Sequence, residues 1–339
     1  MKRPLRFNPP APRLMRIGLD VMGGDFAPQA TLDGALLALD QIGETDRIVL
    51  IGNRQLILDK LAEKGISQSS FDIVHAPDVI EMGEQPTRAF AKKPESSISV
   101  GFRMLKAGKI DAFSSAGNIG AMLVGSIYSV NAIQGVIRPA TTSIIPKENG
   151  GVGVLIDVGT NPDSKPDVMH QFGLLGSIYA RYVYGIENPK VGLLNIGEEE
   201  DKGNLLCQSA FRLMKNTSDY NFTGNVESRD LFKDRVDVVV CDGFTGNIIL
   251  KNMEAMFRLL MKRRLTDEFI ERFNYELYGG TPILGINGTV LVGHGISNAT
   301  AIKNMILLSR DVALARLADK IRLALEEYTQ GGAFSSGSE

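Results

Sequence analysis

Several runs of this sequence are apolar almost throughout: RIVLIG (47–52), VGVLIDV (152–158), KVGLLNI (190–196) and VDVVVCD (236–242). A strand with one wet face alternates polar and apolar residues, so a run that does not alternate needs both faces covered. Such strands pair in parallel and are joined by helical crossovers. Further strand candidates are RIGLDV (16–21), FDIVHA (71–76), DAFSSA (111–116), TTSIIP (141–146), NFTGNV (221–226) and TVLVGH (289–294). Helical spacing lies between many of them, as in ATLDGALLALDQI (30–42) and NLLCQSAFRLMKN (204–216). The pattern predicts an α/β fold: a large, mostly parallel sheet with helices on both sides. No repeat or low-complexity linker interrupts it, so residues 15–329 are expected as a single domain. Residues 1–14 are expected as a flexible extension and 330–339 as a flexible tail.

Composition removes several classes of function. The formal net charge is −2, which gives no global field for nucleic acid. Two cysteines without a Cys-x-x-Cys argue against a disulfide framework or a zinc knuckle. Three histidines without a His-x-x-x-His argue against a histidine-rich metal site, and no metal or cofactor is expected. The basic, proline-rich start MKRPLRFNPPAPRL has no apolar core, so no secretory signal is expected and the protein is placed in the cytoplasm. The longest apolar candidate, 121–137, carries Ser126, Ser129, Asn131 and Gln134 and is expected as a buried helix.

Six strand ends read alike, each small, polar and rich in glycine. They are LDVMGGDFAP (19–28), SSAGNIGA (114–121), DVGTNPDSKP (157–166), LNIGEEEDKGN (194–204), CDGFTGN (241–247) and GHGISNA (293–299). In open α/β sheets ligands collect beyond the carboxyl ends of strands. Glycines let backbone approach a ligand, and helix N-termini offer free N–H groups and partial positive charge. The chain has no G-x-x-x-x-G-K-[ST] and no G-x-G-x-x-G after its first strand. A phosphate or phosphorylated group is therefore expected, bound through neither common nucleotide fingerprint.

The segments DVMGGDFAP, SAGNIGA, DVGTNPDSKP, GLLNIGEEEDKGN, FTGNVESRD, CDGFTGNIILK and YGGTPILGINGTVLVGHGISNATAI follow one another from about Met15 to Tyr328. In this order they resemble the phosphate acyltransferases of bacterial phospholipid synthesis. The resemblance implies transfer of a long acyl group from acyl carrier protein to inorganic phosphate, giving acyl phosphate. It also implies a three-layer αβα fold like the isocitrate and isopropylmalate dehydrogenases and a homodimer. Peripheral contact with the inner face of the cell membrane and a downstream glycerol-phosphate acyltransferase complete what it implies. Three positions depart from the family pattern: Phe26 where His is common, Ile119 in Ala-Gly-Asn-Ile-Gly, and Ile296 in His-Gly-Ile-Ser.

That reaction needs phosphate held with one oxygen free, fixed donors for the oxyanion, and a leaving thiol, whose ordinary pKa is about 8.5. Phosphate is the nucleophile, so no acyl-enzyme is required. The phosphate candidates are Lys165, Lys202 and the backbone N–H groups of Gly246 and Asn247. Asn118, Asn161 and Asn247 are candidate oxyanion donors, and equally candidate caps or turn residues. Asp242 is a candidate for proton handling. His294 is a candidate for positioning phosphate or protonating the thiolate, and Ser297 for substrate contact. Asp20 and Asp157 are expected to hold glycine turns. The rival readings are a coenzyme A-dependent phosphotransacylase, a dehydrogenase of related fold, and a non-enzymatic phosphometabolite-binding regulator.

Two basic clusters, Arg88–Lys92–Lys93 and Lys262–Arg263–Arg264, offer docking for an acidic acyl carrier protein. Met253, Met256, Phe257 and Leu260 form one helical stripe, and Leu265, Phe269, Phe273 and Leu277 a second. This amphipathic pair near 248–278 is expected at a dimer interface or on an anionic membrane.

Overall fold

The computed structural model describes residues 14–42 and 46–330. The flexible ends predicted for 1–14 and 330–339 lie outside that range except for residues 14 and 330. The chain divides into two compact units, one reaching to Asn131 and taking in Asn274–Ala315, the other comprising Ala132–Phe273 and the segment from Arg316.

The first unit contains β1 (Arg16–Asp20), β2 (Arg47–Gly52), β3 (Asp72–His75) and β4 (Ala112–Ser115), and the chain returns to it, after five strands in the second unit, with β10 (Thr281–Leu284) and β11 (Thr289–Val292). Its strand order is β3-β2-β1-β4-β11-β10. All neighbours pair in parallel except β10, which runs antiparallel to β11. Helices Gln29–Ile42 and Ala299–Leu314 pack on each other. Ile51, Ile98, Phe102, Phe113 and Val290 form part of one apolar cluster, in which Phe102 and Phe113 meet edge-on at 5.3 Å.

The second unit orders β5 (Ala140–Pro146), β6 (Val152–Ile156), β9 (Val238–Val240), β7 (Lys190–Leu194) and β8 (Asn221–Val226) as β5-β6-β9-β7-β8. Only β5 is antiparallel to its neighbour. Val238, Val239 and Val240 are buried because both faces of β9 are covered. On one face lies helix Pro166–Tyr184, which starts at a proline and stops at Gly185 in the left-handed region (φ 70°). On the other, Val239 belongs to a cluster against which Ile249, Leu250 and Met253 of helix Gly243–Lys262 pack. The α/β class with a mostly parallel sheet is thus as the sequence predicts.

Three local features differ from the sequence expectation. Residues 121–137 are not one helix: helix Ile119–Gly125 widens into a π turn, Ser126–Val130, and stops at Asn131 (φ 63°). Strand β10 escapes the pattern because it is four residues long and contains Pro282. The stripe beginning at Leu265 is not a continuous helix: Arg264 adopts φ 58°, and only Glu268–Glu271 is helical before Phe273. Phe269 and Phe273 still meet at 5.4 Å. Among the described residues no helix is long and apolar enough to cross a membrane.

Candidate functional site

In the second unit the carboxyl end of β6 turns on Asp157, which is fully buried. One carboxylate oxygen accepts from Thr141 N (3.0 Å), Thr141 Oγ1 (3.1 Å), Val158 N (2.7 Å) and Thr160 N (3.3 Å). The other accepts from Asn161 N (2.6 Å) and Asn161 Nδ2 (3.0 Å). This carboxylate therefore holds residues 157–161, the structural role expected of it. Thr141 and Thr160 also join hydroxyl to hydroxyl at 2.8 Å. Sequence reasoning missed Thr141, because it reaches the loop from β5, the preceding antiparallel strand, and the cross-strand register that brings it there is not written in the sequence.

Beyond β9, Asp242 caps helix Gly243–Lys262. It accepts from Thr245 N and from Thr245 Oγ1, both at 2.8 Å. A carboxylate here complements the positive end of the helix. The helix start sits on the Asp157 loop: Gly243 N donates to Asn161 O at 2.9 Å, and a methyl on Gly246 would collide with the Asp157 carbonyl oxygen.

The N–H of Gly246 is not left over for phosphate, because it makes the first intrahelical bond, to Asp242 O at 3.0 Å. Two amide groups at this helix start lack a protein partner among the described residues. One is the backbone N–H of Phe244, a residue whose side chain is exposed, and the other is the side-chain amide of exposed Asn247. Asn247 lies against the loop, its Oδ1 3.6 Å from where a methyl on Gly159 would stand.

The other candidates divide by what their polar atoms already do. Asn161 donates to Pro139 O (2.8 Å) and Asp157, and Asn118 donates to Glu81 O (2.9 Å), Met82 O (3.3 Å) and Glu84 O (3.1 Å) while capping Ala121 N. Both amides are committed to holding loops. Lys165 is exposed at the start of helix Pro166–Tyr184 and has no carboxylate partner among the described residues. Lys202 lines an open pocket of about 610 Å³ with Glu198, Glu199, Glu227 and Arg229, a setting richer in carboxylates than in cations. Glu198, Glu227 and Asp230 converge within 4.8 Å there, and Arg229, Arg235 and Lys233 pair with them.

Both cysteine thiols are shifted toward their neutral form. Burial, with help from the Asp242 and Asp157 charges, pushes the Cys241 thiol well above its ordinary value. Burial and Asp242 raise Cys207 as well.

In the first unit β1 ends on buried Asp20, which accepts from Ser115 Oγ (2.6 Å) and Met22 N (3.0 Å). Burial pushes this carboxyl up, outweighing the hydrogen bonds that favour its charge. Ser115 Oγ in turn accepts from Gly117 N at 2.9 Å, so Asp20 ties the β1 and β4 ends together. Beyond β11, His294 meets the Tyr275 ring edge-on at 4.9 Å, and Ser297 N donates to His294 O at 3.0 Å. Ser297 is 3% exposed and its hydroxyl has no partner among the described residues. Such a group costs about 1–3 kcal/mol until something bonds it.

The architecture is shared with solved structures. EutD phosphotransacetylase from Staphylococcus aureus matches with a TM-score of 0.62 at 14% identity, covering 88% of this chain and 94% of that one. A 4-hydroxythreonine-4-phosphate dehydrogenase from Klebsiella pneumoniae matches with a TM-score of 0.55 at 13% identity, covering 89% and 100%. Fold and strand ends together define an α/β protein with a large, mostly parallel sheet. The sequence narrows the class. A family model described as "Fatty acid synthesis protein" matches residues 15–320. Phosphate acyltransferase from Desulforudis audaxviator is 42% identical over 338 residues, covering 94% of this chain and 98% of the relative. The Dictyoglomus thermophilum phosphate acyltransferase is 40% identical over 337 residues, covering 94% and 100%. The chain belongs to the phosphate acyltransferase family, and it is an acyltransferase.

Proposed function

We propose that this protein transfers a fatty acyl group from acyl-acyl carrier protein to inorganic phosphate for phospholipid synthesis. A phosphate oxygen bonds the thioester carbonyl carbon, the C–S bond breaks, and the phosphate proton ends on the departing thiol. The products are acyl phosphate and free carrier thiol. The observation that carries the reading is the start of helix Gly243–Lys262, where the Phe244 N–H and the Asn247 amide lie unpartnered above a loop held by Asp157. Phosphate is proposed to bind there, with Lys165 supplying the cation. Asp242 keeps the helix start in shape, and Asn118 and Asn161 keep the loops. The raised thiols of Cys207 and Cys241 fit a direct attack without an acyl-enzyme.

The test is turnover with palmitoyl-acyl carrier protein and phosphate, trapping acyl phosphate as the hydroxamate. Asn247→Ala is expected to lower kcat about 10²-fold, the usual effect of removing one aimed donor. Lys165→Ala is expected to raise KM for phosphate. Absence of hydroxamate from folded protein would sink the reading. Product formed from palmitoyl-coenzyme A but not from the carrier would establish the coenzyme A-dependent alternative, which the likeness to phosphotransacetylase folds keeps in view.

We also propose that the protein is a homodimer that touches the inner face of the cell membrane through helix Gly243–Lys262. That helix fully buries only Gly243 and Gly246, while Phe244, Ile248, Met256, Leu259 and Met261 are exposed. Lys262, Arg263 and Arg264, all exposed, stand at its end. Sedimentation with and without anionic vesicles tests both halves. A dimer is expected in solution, with salt-sensitive vesicle binding lost when the three cations become glutamine. A monomer, or vesicle binding that survives the change, contradicts the corresponding half.

A further inference from the structure

We propose that the strand-end rim of the first unit receives an acidic carrier protein. The carrier's body is held by Arg88 and Lys92, and its aliphatic cargo lies over Phe26, Met82, Ile119 and Ile296. This placement rests on the acyl-carrier reading above.

The apolar part comes from neighbouring loops. Strands β1, β4 and β11 are parallel, so their carboxyl ends share one edge. Phe26 follows β1, Ile119 follows β4 and Ile296 follows β11. Asp25 N donates to Gly295 O at 2.7 Å, joining the first loop to the third. Asn118 donates to Met82 O at 3.3 Å, and a methyl on Gly295 would stand 2.9 Å from the Met82 terminal carbon. Phe26 is 54% exposed, Met82 45%, Ile119 43% and Ile296 44%. Single exposed apolar side chains are ordinary, but four on adjoining loops form a patch of the kind that meets an apolar ligand.

The basic part adjoins it. Helix Pro86–Lys92 packs on helix Ile119–Gly125 so closely that a methyl on Gly120 would collide with the Pro86 ring. Arg88 and Lys92, four residues apart, share its exposed side. Neither has a carboxylate partner among the described residues. Lys93 differs, being bound to Glu84 at 2.5 Å and to Val79 O at 2.7 Å. Two unpaired cations beside an apolar rim complement an acidic protein carrying an aliphatic chain.

The experiment is a direct titration of fluorescently labelled palmitoyl-acyl carrier protein onto the full-length protein, read by anisotropy at low and high salt. Arg88→Glu with Lys92→Glu is expected to weaken Kd at least about tenfold at low salt, with the gap narrowing at high salt. Ile119→Ser with Ile296→Ser is expected to remove the preference for palmitoyl over butyryl carrier and leave the salt dependence intact. Charge reversal that leaves Kd unchanged, or wild-type protein that binds no carrier saturably, overturns the placement. Because binding is read without turnover, this outcome is separable from failure of the hydroxamate assay, which would strike the proposed reaction instead.

Discussion

Alanine in place of Asp157 is expected to cost about 3–5 kcal/mol of stability and to abolish turnover. The carboxylate accepts six hydrogen bonds from buried or half-buried donors on Thr141, Val158, Thr160 and Asn161. Removing it leaves those donors without an acceptor, and the ones on Thr141 and Val158 are buried away from water. For a fold whose total stability is of order 5–15 kcal/mol, that is a large share. Asp157→Asn keeps one acceptor oxygen but turns an amide toward the Asn161 N–H, so it is expected to recover only part of the loss. Urea unfolding at constant m-value measures both. A loss below about 1 kcal/mol for the alanine variant would show that the loop holds itself without the carboxylate.

The second large effect is at Gly246. A methyl there would overlap the Asp157 carbonyl oxygen and stand 2.9 Å from Cys241 Sγ. The first obstacle is backbone, so helix Gly243–Lys262 must back away from its loop. Gly246→Ala is expected to destabilise by about 2–3 kcal/mol, with kcat falling further than stability explains. Adding Cys241→Ala should not restore either, since the thiol is the lesser obstacle. Gly83→Ala is the matching control: nothing lies within 4 Å of its added methyl. Equal melting temperatures for the Gly246 and Gly83 variants would refute the close-approach argument.

Much of the frame was legible in the residues themselves. Runs such as VDVVVCD demand cover on both faces, and that demand leads to parallel strands and crossover helices. The structural duty of Asp20 and Asp157 was legible too, because a carboxylate beside glycines at a strand end has backbone N–H groups within reach. What stayed hidden depends on distance across the fold. Gly246 reads as a possible phosphate donor, yet its N–H is taken by Asp242 and its lack of a side chain is what the structure uses. Asn118 and Asn161 read equally as oxyanion donors and as caps or turn residues, and only the arrival of the 81–84 segment and Pro139 shows where their amide hydrogens go. Lys165 and Lys202 look alike in sequence, and the neighbouring Glu198, Glu199 and Glu227 separate them.

The way the chain leaves the first unit at Asn131 and returns at Asn274 has a consequence during synthesis. Strand β4 has β1 on one side, but its other neighbour, β11, is not made until residue 292. For that whole interval the nascent sheet carries an open edge of unpaired backbone groups, the kind of surface that recruits strands from other chains. Ribosome-bound intermediates should therefore be most prone to association after β4 emerges, and release should come late, with the last two strands and helix Ala299–Leu314.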